Sequence, residues 1–217
     1  EIRPAGGFLG SYGDLVVEKG QMKKLEVQDI YWPDHPLNFN LKIIPPEPLQ
    51  AVTKDWGARD GNWFFDFPTS AKTVIGFLEN SEVYKEQGIT FEAAMALNIN
   101  VLESILGFIG PVEIADYDLT INEENFLIEI QREVETGRDH KKGSNPKKIL
   151  SVITPTILER LGALTNENKV ALIEAFGEHF SKKDIMFFAK DSNLASFFNS
   201  RELDGAVLEL PSSFWGS

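Results

Sequence analysis

"ARDGNWFFDFPTSAKTVIGF", Ala58–Phe77, changes character half-way along its length. The first half crowds Trp63, Phe64, Phe65 and Phe67 around three charges, Arg59, Asp60 and Asp66. The second half takes on a helical period, with Ala71, Val74, Ile75 and Leu78 at i, i+3, i+4 and i+7. Thr69 or Ser70 is the expected N-cap, just after Pro68. A core accounts for the rings but leaves the charges without a purpose. Spacing alone favours a local ion pair, Arg59 with Asp60 or Asp66, pinning a loop over the aromatics. The competing reading is a site. Arginine grips phosphate bidentately, a neighbouring carboxylate can recruit Mg²⁺, and a helix start adds positive potential.

Upstream, residues 7–17 read as a buried strand and 22–30, "MKKLEVQDI", as an alternating one, joined by the turn "EKGQ" into a hairpin. Residues 31–66 hold Pro33, Pro36, Pro45, Pro46 and Pro48. They are expected to be irregular apart from a short helix near Leu49–Lys54. Downstream, strands at 89–99, 112–121 and 184–190 interleave with helices at 102–109, 122–134, 147–161, 166–181 and 192–203. Residues 136–148 form a basic loop between two of these helices. Interleaved strands and helices imply an α/β fold: a single three-layer domain, residues 1–217, with a mixed central β-sheet flanked by helices.

The 217 residues, 42% hydrophobic, are enough for one sizeable core. No apolar run reaches bilayer-spanning length. A net charge of −12 argues against nonspecific nucleic-acid binding, which needs a dominant positive field. Cysteine is absent, which removes disulfides, thiolate metal sites and a cysteine nucleophile from consideration. The chain opens at Glu1 in mid-motif, without Met or a signal-like sequence, so it is expected to be an excised piece of a longer chain.

Other constellations are weaker. His35, His140 and His179 form no HExxH or i, i+4 pair, so surface or locally bonded roles are expected for each. "GSYG" at 10–13 is not a nucleophile elbow, and no phosphate loop is present. Asp116 and Asp118, on a strand with Tyr117 between them, are expected on one solvated face. Arg138, Lys141, Lys142, Lys147 and Lys148 concentrate positive charge in the 136–148 loop. A flexible solubilising loop and an anion-binding one suit that concentration equally.

Taken together, "EIRPAGGFLGSYG" at 1–13, "RDGNWFFDFPTSA" at 59–71 and "GPVEI" at 110–114 resemble an uncharacterised bacterial domain-of-unknown-function family. Its pattern runs close to E-L-R-P-T-G-G-F-I-G-S-Y-G, then R-D-A-N-W-x-x-D-F-P-x-S-A. The motifs cover roughly the first half of the chain. The resemblance implies an extracytoplasmic domain at the bacterial cell surface, anchored by a segment upstream. More remotely, the order of elements is similar to that of the LytR-CpsA-Psr phosphotransferases, which move wall polymers from polyprenyl pyrophosphate carriers onto peptidoglycan.

That second similarity implies roles for particular residues. Arg59 and Asp60 would be catalytic, with Asp60 holding Mg²⁺. Arg3, Arg132, Arg138, Lys147 and Lys148 would grip the pyrophosphate, Asp66 would orient Arg59, and Trp63 would line the path to an apolar lipid pocket. The partner would be a lipid-linked phosphoglycan or another anionic envelope ligand. Ala5 stands where the phosphotransferase motif has an acid. The alternative expectation is therefore a non-catalytic envelope module that binds glycan or protein partners.

Overall fold

The computed structural model describes residues 7–40 (the backbone alone for 36–40), 42–137, 139 and 147–208. In chain order the strands are β1 (Ser11–Glu18), β2 (Gln21–Asp29), β3 (Ala93–Leu97), β4 (Val112–Ile114), β5 (Leu119–Ile121) and β6 (Ile185–Ala189). The helices are α1 (Tyr31–Asn40), α2 (Phe67–Asn80), α3 (Glu82–Lys85), α4 (Ile99–Ile109), α5 (Phe126–Thr136), α6 (Lys148–Gly162), α7 (Asn166–Ser181) and α8 (Ser192–Ser200). The mixture of helix and strand is as the sequence implies. The sheet is not. Among the described residues the strands form three two-stranded ladders, β1–β2, β3–β6 and β4–β5, with no central sheet joining them.

The physical reason lies in the strand lengths. Residues 112–121 alternate like one strand, yet Ala115–Tyr117 coil into a 3-10 turn and Asp118 takes a left-handed φ of 49°. Aspartate tolerates that region better than most side chains. The segment therefore folds back as an antiparallel pair, Val112 opposite Ile121 and Ile114 opposite Leu119, and the expected single face bearing Asp116 and Asp118 is replaced by a turn. The 89–99 strand contracts to the five residues of β3. Two flanking bonds, Lys190 N–H to the Glu92 carbonyl and Asn98 N–H to the Asp184 carbonyl, run in opposite chain directions, as in antiparallel pairing.

The expected irregular stretch 31–66 is also corrected, because Tyr31–Asn40 is helical. Pro33 falls in the first turn, where its missing N–H forfeits no intrahelical bond. Asp29 Oδ1 accepts the Tyr31 N–H at 2.9 Å and steadies the start. The hairpin expected from the alternation at 22–30 is present, with Ser11 opposite Asp29 and a register shift at Val16/Val17.

The contacts gather into two compact units. Unit one contains residues 1–9, 33–95 and 186–217; unit two contains 10–32 and 96–185. In unit one, α2 buries Phe67, Ala71, Ile75, Phe77 and Leu78, and Tyr84 of α3 lies edge-on to Phe91 at 4.9 Å. In unit two, α6 packs on β2, β4, α4 and α5 through its buried stripe Ile149, Ile153 and Ile157, and α4 packs on α7. Among the described residues no helix is long and apolar enough to cross a membrane.

Candidate functional site

Arg59 and Asp60 sit in unit one on a 3-10 turn, Ala58–Asp60. Their surroundings are set by Asp34, a buried residue of α1. Its Oδ1 accepts the Ala58 N–H at 2.6 Å, and its Oδ2 accepts the Arg59 N–H at 3.2 Å. The same Oδ2 lies 3.1 Å from Arg59 Nη1. Gly57 makes the approach possible, since a Cβ there would meet Asp34 Oδ1 at 2.7 Å. Burial raises the Asp34 pKa above its ordinary value, and the hydrogen bonds from Arg59 and Ala58 restrain the rise.

The Arg59 guanidinium is enclosed by acceptors. Beyond Asp34, its Nε lies 3.2 Å from Asp60 Oδ2, and its Nη2 donates to Thr53 Oγ1 at 3.3 Å and to the Asp55 carbonyl at 3.1 Å. At least four of its five N–H groups are thus committed within the protein. One guanidinium therefore faces two buried carboxylates, those of Asp34 and Asp60. The carboxylates of Asp34 and Asp60 hold that guanidinium between them, and no group of three metal-ligating side chains exists among the described residues.

Asp66 is the N-cap of α2, in place of the expected Thr69 or Ser70. Its Oδ2 accepts the Thr69 N–H at 2.9 Å, and its Oδ1 accepts the Val207 N–H at 3.0 Å. The helix start therefore already carries its own anion. Ser70 Oγ is bonded to both the N–H and the carbonyl of Phe64 at 2.9 Å, which clamps the aromatic stretch across α2. Trp63 is half-buried there. Trp56 donates from Nε1 to the Asp60 carbonyl and lies edge-on to Phe77 at 5.3 Å.

Unit one does contain a cavity, of about 690 Å³, between α2, β6 and α8. Phe187, Phe188 and Phe198 form its apolar wall, and Lys72 and Lys190 stand at it, whereas neither Arg59 nor Asp60 lines it. Phe187 stacks on Phe198 at 5.1 Å, and Lys72 Nζ lies 5.7 Å over the Phe188 ring. Lys190 pairs with Glu79 at 2.6 Å. Lys72 acts on the Asp66 carboxylate through space without forming a close ion pair with it, and Asp204 also lines the cavity.

The remaining residues expected at the site lie elsewhere. Arg132, Lys147 and Lys148 belong to unit two. Arg132, on α5, pairs with Glu129 at 2.5 Å and is largely exposed. Lys147 reaches the Gly10 carbonyl and Asp29, the latter at 3.2 Å. Lys148 opens α6 and is exposed. Arg3 and Arg138 lie outside the described residues, as does His140.

A family model described as "Protein of unknown function (DUF4012)" matches residues 1–134. The chain belongs to that family. No curated protein and no solved structure matches it. The DUF4012 match covers the Arg59 turn and α2, but stops before β6 and α8 complete the lysine-bearing cavity.

The DUF4012 chain also holds an arrangement that its sequence alone does not announce. In unit two, Ser104 Oγ of α4 lies 2.8 Å from His179 Nε2 of α7, and His179 Nδ1 lies 2.9 Å from Asp184 Oδ2. Of the two roles expected for it, His179 takes the locally bonded one, and it is buried. Ser104 and His179 are 75 residues apart, and no short motif joins them. The one local signal is "HFSKKD", which places an acid five residues after a histidine across a helix end.

Proposed function

We propose that this chain is an extracytoplasmic module of the bacterial cell envelope that binds an anionic amphiphile. The ligand class is a lipid-linked phosphoryl glycan, held in the cavity between α2, β6 and α8. The observation that carries the reading is the pairing of a phenylalanine wall with Lys72, whose ammonium lies over Phe188. An apolar tail fills the wall side, and the lysine meets a phosphate as a point charge. Lys190 shares its charge with Glu79 and stands second. Binding without transfer is favoured, because Arg59 is committed to Asp34 and Asp60 and has no geometry for gripping a phosphoryl group.

The test is the affinity of a short polyprenyl pyrophosphate, with and without Mg²⁺, for the wild type and for Lys72→Ala, Lys190→Ala and Asp60→Asn. The expected result is at least a tenfold loss in Lys72→Ala, a smaller loss in Lys190→Ala, and no dependence on Mg²⁺. Equal affinity in wild type and a Lys72→Ala/Lys190→Ala double variant would overturn the cavity assignment. Mg²⁺-dependent binding lost in Asp60→Asn, with thermal stability intact, would return the site to the Arg59 turn.

A further inference from the structure

Ser104 is 75 residues from His179, which is itself five residues from Asp184, yet the three form one continuous hydrogen-bonded line inside unit two. The fold holds its members firmly. Asp184 donates its N–H to the His179 carbonyl at 2.9 Å and accepts the Asn98 N–H on its own carbonyl at 2.8 Å. The reversal between α7 and β6 runs through Lys183, whose φ of 61° turns the chain back so that Asp184 meets the histidine five residues before it. His179 and Asp184 are both more than nine-tenths buried, at 8% and 7% exposure.

The carboxylate decides the tautomer. Ionised Asp184 can only accept, so in the neutral ring Nδ1 carries the hydrogen and Nε2 presents its lone pair. Ser104 Oγ, at 2.8 Å, is then the donor. A serine hydroxyl facing an imidazole that is oriented by a buried acid is an activated nucleophile.

The line also ends in the open. Ser104 lies on the wall of a cleft of about 500 Å³, with His179, Asn100, Gly107, the two glutamates Glu103 and Glu123, and Lys182, whose charge is paired with Glu178, around it. Asn100, Ser104 and Gly107 share one face of α4 at i, i+4 and i+7. Gly107 lets the Glu123 carboxylate come close to α4, since a Cβ there would meet Glu123 Oε2 at 3.0 Å.

We infer that Ser104, His179 and Asp184 form an ester-hydrolysing centre that acts on a small O-acyl ester of a polyhydroxylated or amine-bearing alcohol. The two glutamates select that alcohol, because carboxylates accept from hydroxyls and pair with ammonium groups, and they repel an anionic substrate. Ser104 Oγ attacks the acyl carbon while its proton passes to His179 Nε2, and Asp184 stabilises the imidazolium. The carbonyl oxygen becomes an oxyanion. Asn100 is its donor: the amide has two N–H bonds, and its contact with Asp184 Oδ1 at 3.4 Å uses one. The Ser104 N–H is unsuited to that task, because it lies inside the α4 hydrogen-bond ladder. Collapse breaks the acyl–oxygen bond to the alcohol, which leaves with the proton from His179. Water then hydrolyses the acyl-serine by the same relay and restores the hydroxyl. The centre lies wholly in unit two, so it stands or falls separately from the lysine-bearing cavity of unit one.

The probes are a fluorophosphonate and p-nitrophenyl acetate, applied to the 217-residue chain. The expected result is a phosphonyl adduct on Ser104 by peptide mass spectrometry, together with release of p-nitrophenolate. Ser104→Ala, a mild change on a half-buried helix position, is expected to abolish both while the melting curve is retained. Asn100→Ala is expected to lower turnover by about 10²-fold, and His179→Gln by about 10³-fold or more. A purely structural hydrogen-bond line gives no adduct. Absence of Ser104 labelling, or p-nitrophenolate release that is the same in Ser104→Ala as in wild type, overturns the inference.

Discussion

Asp34 is the residue on which the Arg59 turn depends. It satisfies two backbone N–H groups and one guanidinium from inside the protein, at essentially no solvent exposure. Removing it leaves those donors, and a mostly buried positive charge, with Asp60 as the remaining carboxylate partner. Asp34→Ala is therefore expected to lower the unfolding free energy by about 3–5 kcal/mol, the range for breaking one side of a buried ion pair. Chemical denaturation would check this, and a loss below about 1 kcal/mol would mean that the cluster is weaker than its geometry implies. The arginine itself is legible in the sequence, but its chief partner is not. Asp34 lies 25 residues away, in a proline-bearing stretch where local pattern offers no register, so only the tertiary fold brings the two together.

Helix α2 is the element that the sequence reveals best, because its apolar period is strict and Pro68 marks its start. Its cap is less legible and falls three residues before Thr69 and four before Ser70. Thr69 and Ser70 are both good capping types, and the choice fell to Asp66 because its second oxygen also secures Val207, a long-range bond that no local rule contains. The hairpin at β1–β2 and the span of α7 were legible for the same reason: each has a clean period or a Thr165 cap. Helix α1 was not, since prolines normally punctuate helices and here one of them, Pro33, lies where the first turn tolerates it.

The acid response of the fold belongs to this scale too. Asp66 is partly desolvated, which opposes ionisation, but Thr69, Val207 and Lys72 outweigh this and hold its pKa below 3.8. Glu79 is likewise partly desolvated, yet Lys190 and the Phe91 N–H hold it below 4.5. Groups with lowered folded-state values contribute stability that is present above those values and is lost as pH falls through them. Asp34, raised by burial, acts in the opposite sense over the same window. The melting temperature of an Asp66→Asn/Glu79→Gln variant should therefore fall less steeply below about pH 4.5 than that of the wild type. Circular dichroism melts across pH 3–7 would read the slopes, and parallel slopes would refute the assignment.

On the scale of the whole molecule, the family match and the structural units do not share a boundary. The match ends at residue 134, within α5, whereas β3 pairs with β6 at 185–189 and Phe67 N–H bonds the Gly205 carbonyl. A fragment that stops at 134 would leave β3 without its partner strand, an exposed edge that invites self-association. It is expected to aggregate or to lack a cooperative melt in light scattering and calorimetry, and a monomeric fragment with a sharp transition would contradict this. A chain made from its N-terminus at about 5–20 residues per second must hold the Arg59 turn and α2 unfinished for several seconds. Only when β6 and the Gly205 region leave the ribosome can the first unit close, so during synthesis its apolar surface is prey for chaperones long before its sequence has been translated to the end.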